Sequence, residues 1–369
     1  MKILFFVGVY LPRTGGVPIN THKMVSLLID KGLDVRVLAP HETGDNNLVT
    51  NYFIYRYPRY PIRHFLSRSY LFWLYNIYKK WPFDLIHCHG VDPAGYCASY
   101  FKRFASIPYI VTLRKSNFFK EETHFFNKRR NKRAKIALIN ADRVTAISRE
   151  IFRIVEGSGV PSSKIVYIPH GIDPSIYKKV RPVNWPNPYI LSVGRLVRFK
   201  GFDLLIKAFS DISKKIPNLD LIIIGKGPKE QELRNLIKSL DIENRVYLVG
   251  EKRGEEKYSF YKGALFYVLS SYPGSEGFPN VILEAMAAHL PVISTKVSGA
   301  EDVIIDGTTG YLVPPNDKRA LSEKMLYLIS DPHIIQKVNI RKELERYNIN
   351  KIIQRYIDVY SSTIKKDKK

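Results

Sequence analysis

Ser271-Tyr-Pro-Gly-Ser-Glu-Gly-Phe-Pro-Asn-Val-Ile-Leu-Glu-Ala-Met-Ala-Ala-His289 follows an apolar run, Leu265-Phe-Tyr-Val-Leu-Ser270, that reads as a buried strand. Pro273, Gly274, Gly277 and Pro279 break the chain, and a helix of small and aliphatic residues follows. A helix N-terminus brought to the carboxyl end of a strand gathers free amides and the positive end of the helix dipole, a setting suited to a phosphate or pyrophosphate. Glu276 in the loop and Glu284, about one turn into the helix, bracket that position. A carboxylate accepts paired hydrogen bonds from vicinal hydroxyls, as acidic residues do on the ribose of dinucleotides. One Glu for a ribose, one for a sugar ring and a helix end for the phosphates describe a nucleotide-sugar site. Most Glu residues are solvated charges, but Glu284 lies within Val281-Ile-Leu-Glu-Ala-Met-Ala-Ala288, where a carboxylate needs a partner.

Two cations lie upstream. The strand-like Tyr189-Ile-Leu-Ser-Val-Gly194 runs into Arg195-Leu-Val-Arg-Phe-Lys-Gly201, then into an amphipathic helix carrying Phe202, Leu205, Ile206 and Phe209. Arg195 at a strand end and Lys200 just before a helix suit a diphosphate leaving group, whereas Arg198 reads as solvent-facing. Further βα units follow in Asp220-Leu-Ile-Ile-Ile-Gly225 and in Arg245-Val-Tyr-Leu-Val-Gly250, the latter expected near a nucleotide base. Gly307 and Gly310 read as turn residues, and Asp317 and Ser148 as helix caps.

The first half opens in the same way. Residues 3–8 form a strand, residues 10–17 a loop whose Gly15 and Gly16 let backbone approach a ligand, and residues 18–31 a helix. Phe83-Asp-Leu-Ile-His-Cys-His-Gly90 is a strand ending in His87 and His89. Ligands of open α/β sheets bind at carboxyl strand ends, so His89 faces a candidate cleft, while His87 equally reads as a satisfied core histidine. A metal on this pair lacks a carboxylate or Cys cluster to complete it. Arg114 ends the next strand. Strands alternating with helices along 369 residues give the α/β class, as two Rossmann-like doubly wound domains.

Two stretches of the first half mix aromatic residues with positive charge. In residues 52–81, Leu71, Trp73, Leu74, Ile77 and Tyr78 recur at helical spacing beside Lys79 and Lys80; residues 114–138 hold nine basic against two acidic residues, with Phe pairs at 118–119 and 125–126. A solvated helix face accounts for charge alone. Aromatics beside a polybasic run suit the surface of an anionic membrane. The net charge of +24 is uneven, with 29 Lys+Arg against 12 Asp+Glu in residues 1–183 and 29 against 22 in the rest. Such a field attracts lipid, nucleic acid or acidic substrates without choosing among them.

No apolar run reaches the roughly 18 residues needed to span a bilayer. The N-terminal run reads as a strand, because no small-residue cleavage pattern follows it, and the mature chain is expected to start there. Cys88 and Cys97 form no disulfide framework and fit a reducing compartment. A cytoplasmic protein, peripheral on the inner face of the cell membrane, is therefore expected.

Together these strings resemble a known family. Glu276-Gly-Phe-Pro-Asn-Val-Ile-Leu-Glu-Ala-Met-Ala287 is similar to the E-x7-E signature of retaining glycosyltransferases of the GT-B fold, in the wording of family 4, and Gly194-Arg-Leu with Lys200-Gly201 has that family's spacing. The resemblance implies an acceptor domain over residues 1–183, which ends beyond Ile168-Pro-His-Gly-Ile-Asp173 in a proline-stiffened linker at 180–188. It implies a donor domain over 184–345, facing the first across a cleft, and a terminal segment, 346–369, whose helix packs back on the first domain. The activity implied is retaining transfer of a hexosyl group from a nucleotide-diphosphate sugar to a glycan or lipid-linked acceptor. No cofactor or metal is implied, in keeping with the absence of Asp-x-Asp from the sequence. The donor would be held by Gly15, Gly16, Arg195, Lys200, Glu276, Gly277, Phe278, Pro279, Asn280 and Glu284. Arg195, Lys200 and Glu276 would act at the reaction centre, and the leaving phosphate would help deprotonate an acceptor attacking from the same face.

His89 and Arg114 would border the acceptor. Family members carry His, or Arg-Gly-Ser-Asp, where this chain has Arg114, Lys115 and Asn117, and that departure points to something anionic nearby. A nucleotide-sugar epimerase of the same architecture would convert its substrate without an acceptor. A basic nucleic-acid-binding protein would explain the charge but not the paired Glu residues, and no nucleic-acid partner is expected.

Overall fold

Runs of buried β-branched and aliphatic residues build two parallel sheets. The computed structural model describes residues 1–13, 15–45, 48–58, 67–114, 125–274, 276–331 and 337–366. The chain forms two units, one of Met1–Pro169 with Ile352–Lys369 and one of His170–Lys351.

The first unit carries β1 (Lys2–Val7), β2 (Asp34–Pro40), β3 (Ile54–Tyr57), β4 (Leu85–His89), β5 (Tyr109–Leu113), β6 (Arg143–Ala146) and β7 (Ile165–Tyr167). They form one sheet in the order β3-β2-β1-β4-β5-β6-β7. Residues 3–7 of β1 are fully buried, which is why the strand reads as a continuous apolar run rather than an alternation. The strand order reverses between β1 and β4, where Val7 lies opposite His89. Ligands of such sheets bind beyond the carboxyl strand ends at this switch point.

The second unit carries β8 (Tyr189–Val193), β9 (Asp220–Ile224), β10 (Val246–Leu248), β11 (Phe266–Leu269), β12 (Val292–Thr295) and β13 (Gly310–Val313), in the order β10-β9-β8-β11-β12-β13. Its switch point lies between β8 and β11, the strands that lead into the Arg195–Lys200 and Ser271–Glu276 loops.

The boundary between units falls at Pro169/His170 rather than at 183/184. The proline-rich stretch is tied into the second unit: Val183 N–H bonds Ser259 O at 3.1 Å, and Trp185 Nε1 donates to Asp220 at 2.9 Å. Further back, Ile172 bridges Asn348. The second crossing lies at Lys351/Ile352, within the helix Ile349–Lys366, rather than at 345/346. From there the helix belongs to the first unit, where Tyr356 and Tyr360 are buried and the Tyr360 hydroxyl meets His87 Nδ1 at 2.8 Å.

Two smaller readings change. Gly310 is a strand residue whose added Cβ would lie 2.2 Å from Val292 O, so close strand pairing and not a turn requires it. Arg133 leaves the basic surface, because it is buried over the Tyr96 ring and 3.6 Å from Asp92 Oδ1. Among the described residues no helix is long and apolar enough to cross a membrane.

Candidate active site

The loop after β11 is held from three sides. Tyr272 N–H bonds Phe199 O at 2.9 Å, and its hydroxyl donates to the Asp203 carboxylate. Ser298 Oγ donates to Gly277 O at 3.2 Å. Two glycines let backbone meet backbone here: Gly201 has φ 64° and a Cβ there would lie 2.0 Å from Ser270 O, while Gly299 has φ 77° and a Cβ would lie 2.7 Å from Phe278 Cα. Each glycine precedes a helix, and although Lys200-Gly201 is part of the string quoted above, no local pattern records that another chain segment lies against either of them.

The structure brings Lys200 and Glu276 together. Glu276 is nearly buried and ion-pairs with Lys200, and Ser271 Oγ donates to its Oε1 at 2.8 Å. Arg195 follows β8 and is exposed; its carbonyl accepts from Val197 N–H at 2.8 Å, and among the described residues its side chain makes no hydrogen bond or ion pair. The helix Asn280–Ala287 begins after Pro279, which supplies no side-chain cap, so its first amides stay available. Phe278 and Pro279 are themselves buried, and the Phe278 ring packs 5.4 Å from His170 and 6.1 Å from Tyr347. Their part is to seat the helix end. Asn280 Oδ1 accepts from His170 Nδ1 at 2.6 Å, which gives the His at this position a local role.

Glu284 has partners that sequence reading missed. Lys257 Nζ lies 2.8 Å from its Oε1 and the Tyr261 hydroxyl donates to its Oε2 at 3.0 Å, both from the helix Gly254–Gly263. Tyr261 is buried, and burial together with the neighbouring Glu284 pushes its phenol well above the ordinary tyrosine range. It therefore remains a hydrogen-bond donor that fixes the carboxylate.

In the first unit, Gly15 (φ 140°) precedes the helix Gly16–Asp30 and supplies no side-chain cap, and the space around Gly16 is open. His89 Nδ1 lies 3.0 Å from both Thr21 Oγ1, on that helix, and Arg114 Nη2. A guanidinium only donates, so Nδ1 accepts and the imidazole proton sits on Nε2. His87 is fully buried between Tyr360 and Thr112, 2.6 Å from the latter, and burial, aided by Arg114, holds it well below the ordinary histidine range. It is a neutral core residue. Lys115, Asn117 and Phe118–Phe119 lie outside the described residues, as do the side chains of Phe125 and Phe126.

Residues 175–351 match the family Glycosyl transferases group 1, and residues 14–176 match Glycosyltransferase Family 4. An uncharacterized glycosyltransferase of Methanocaldococcus jannaschii, MJ1178, is 30% identical over 90% of this chain and 90% of its own. The N-acetyl-alpha-D-glucosaminyl L-malate synthase of Bacillus anthracis is 24% identical over 100% of this chain and 99% of its own. Among solved structures, Anabaena Alr3699/HepE in complex with UDP superimposes with a TM-score of 0.82 at 21% identity, covering 98% of this chain and all of that one. The fold is GT-B, and the chain belongs to the group 1, family 4 glycosyltransferases.

Proposed function

We propose that this glycosyltransferase moves a hexosyl group, with retention and without a metal, from a nucleotide-diphosphate sugar to a glycan or lipid-linked acceptor at a membrane surface. The observation that carries the donor reading is the Lys200–Glu276 pair beside the uncapped Asn280–Ala287 helix. Lys200, the exposed Arg195 and the first helix amides bind the diphosphate; Glu276 takes sugar hydroxyls, and Glu284, oriented by Lys257 and Tyr261, takes the ribose. In the reaction the bond from the sugar C1 to the β-phosphate oxygen breaks as C1 bonds to the acceptor oxygen on the same face. The acceptor proton passes to the departing phosphate. Cations and amides aimed at that phosphate stabilise the charge that develops there. The complexes of HepE with UDP and with UDP-glucose make UDP-hexoses the first donors to test.

The membrane reading rests on exposed groups of the first unit. The helix Ser67–Lys80 exposes Phe72 and Tyr75, about two turns and one turn before Lys79, while the adjoining helix Tyr96–Ala105 exposes Phe104 beside Arg103. Lys128, Lys132, Lys135 and Ile139 form an exposed stripe on the helix Phe125–Ile139. Aromatic and basic groups of this kind favour an anionic lipid surface.

Thermal-shift titration with UDP-, GDP- and ADP-sugars in the presence of a chelator tests the donor reading, and stabilisation by none of them overturns it. NMR of the hexose first released by slow hydrolysis of the preferred donor tests retention; release of the opposite anomer contradicts it.

A further inference from the structure

Several cations of the first unit that are drawn in from solvent have a carboxylate partner, and others, such as Arg36 and Arg143, bond a hydroxyl or a backbone carbonyl. Arg56 pairs with Asp45 at 2.6 Å, Arg133 lies 3.6 Å from Asp92, and Lys102 ion-pairs with Asp142. Arg114 has no carboxylate partner among the described residues. Its Nη2 donates to His89 Nδ1, while Nε and Nη1 are closed off from solvent with no acceptor among the described residues. Among the described residues, the side chains placed beside it are neutral: His89, which Thr21 also contacts, His87, and Tyr356, whose phenol burial holds above the ordinary tyrosine range. The helix that carries Thr21 has no acidic residue in its first turn. Burial moves the Arg114 guanidinium down to about 10, so it stays charged at neutral pH.

A buried cation with unused donors and no counter-charge is costly for a fold to keep. A planar guanidinium is also the side chain best matched to carboxylate and phosphate oxygens. We propose that Arg114 receives an anionic group of the acceptor, a carboxylate or a phosphate, so that the acceptor class is acidic. This rests on the glycosyltransferase reading above and deepens it on the acceptor side. His89 is then a positioning residue: by accepting from Nη2 it sets the plane of the guanidinium and so the direction in which the remaining N–H groups point.

The test compares the full-length wild type with Arg114→Met and Arg114→Lys by thermal unfolding, without ligand and with inorganic phosphate, malonate or UDP at fixed ionic strength. Phosphate or malonate, at about a hundred times its dissociation constant, should raise the wild-type Tm by several degrees. The larger shift tells phosphate from carboxylate. Arg114→Met should lose that shift, keep the UDP shift and unfold no earlier than wild type without ligand, and Arg114→Lys should retain part of the anion shift. An anion shift absent from wild type, or equal in wild type and Arg114→Met, overturns the proposal while an intact UDP shift leaves the donor reading standing. Loss of several degrees by ligand-free Arg114→Met marks a structural arginine and also overturns it. Loss of the UDP shift in wild type strikes the donor reading instead.

Discussion

Lys200 and Arg114 are both positive, both drawn in from solvent and both near a sheet's switch point, yet their surroundings are opposite. Lys200 already has a carboxylate, Glu276, which in turn accepts from Ser271. Arg114 has a neutral imidazole and closed-off N–H groups. The second unit thus sets Lys200 against a carboxylate, whereas no carboxylate among the described residues of the first balances Arg114. Two glycines beside these loops differ as well. A Cβ at Gly201 would lie 2.0 Å from Ser270 O, whereas one at Gly16 would find nothing within 4 Å beyond its own chain neighbours and helix.

The largest effect that would break this comparison concerns those glycines. Gly201→Ala must push a Cβ into Ser270 O from a left-handed backbone and should cost about 3 kcal/mol or more by denaturant unfolding. Gly16→Ala, in open space, should stay within about 0.5 kcal/mol. Similar losses from both would erase the distinction between the units.

Next in size is Lys200→Ala, which removes a phosphate contact and leaves Glu276 buried without its counter-charge. Donor affinity measured by calorimetry should fall by about 1–3 kcal/mol. Glu284→Gln keeps the shape but weakens the charge-assisted bonds from Lys257 and to ribose, so a loss of about 1–2 kcal/mol in binding of the nucleoside diphosphate is expected. Unchanged affinity would remove Glu284 from the site. The smallest effect is on the exposed stripe: Lys128→Glu, Lys132→Glu and Lys135→Glu together should release the protein from anionic vesicles in a sedimentation assay, at about 1 kcal/mol per charge, with donor binding untouched. Sedimentation equal to wild type would end the membrane reading.

The donor site was legible because its residues lie in two short strings, each a loop between a strand and a helix, so local chemistry implied spatial neighbours. Glu276 and Lys200 meet as their loops suggest. What orients Glu284 was not legible, because Lys257 and Tyr261 come from another helix whose side-chain directions no local pattern records. The stretch 180–188 was misread as a linker because proline marks stiffness, not location; Trp185 and Val183 anchor it inside the second unit. Arg133 looked like one more surface charge until Asp92 and Tyr96 claimed it. That no described carboxylate lies against Arg114 depends on which segments fold beside it, and a linear sequence carries no sign of that.

Isothermal titration of the wild type, Lys200→Ala and Arg114→Met with UDP and UDP-hexoses bears most directly on the central claim that the second unit grips the diphosphate. Binding by the wild type that weakens about 5- to 150-fold in Lys200→Ala and is unchanged in Arg114→Met is the result expected. Equal affinity of Lys200→Ala and wild type would contradict it.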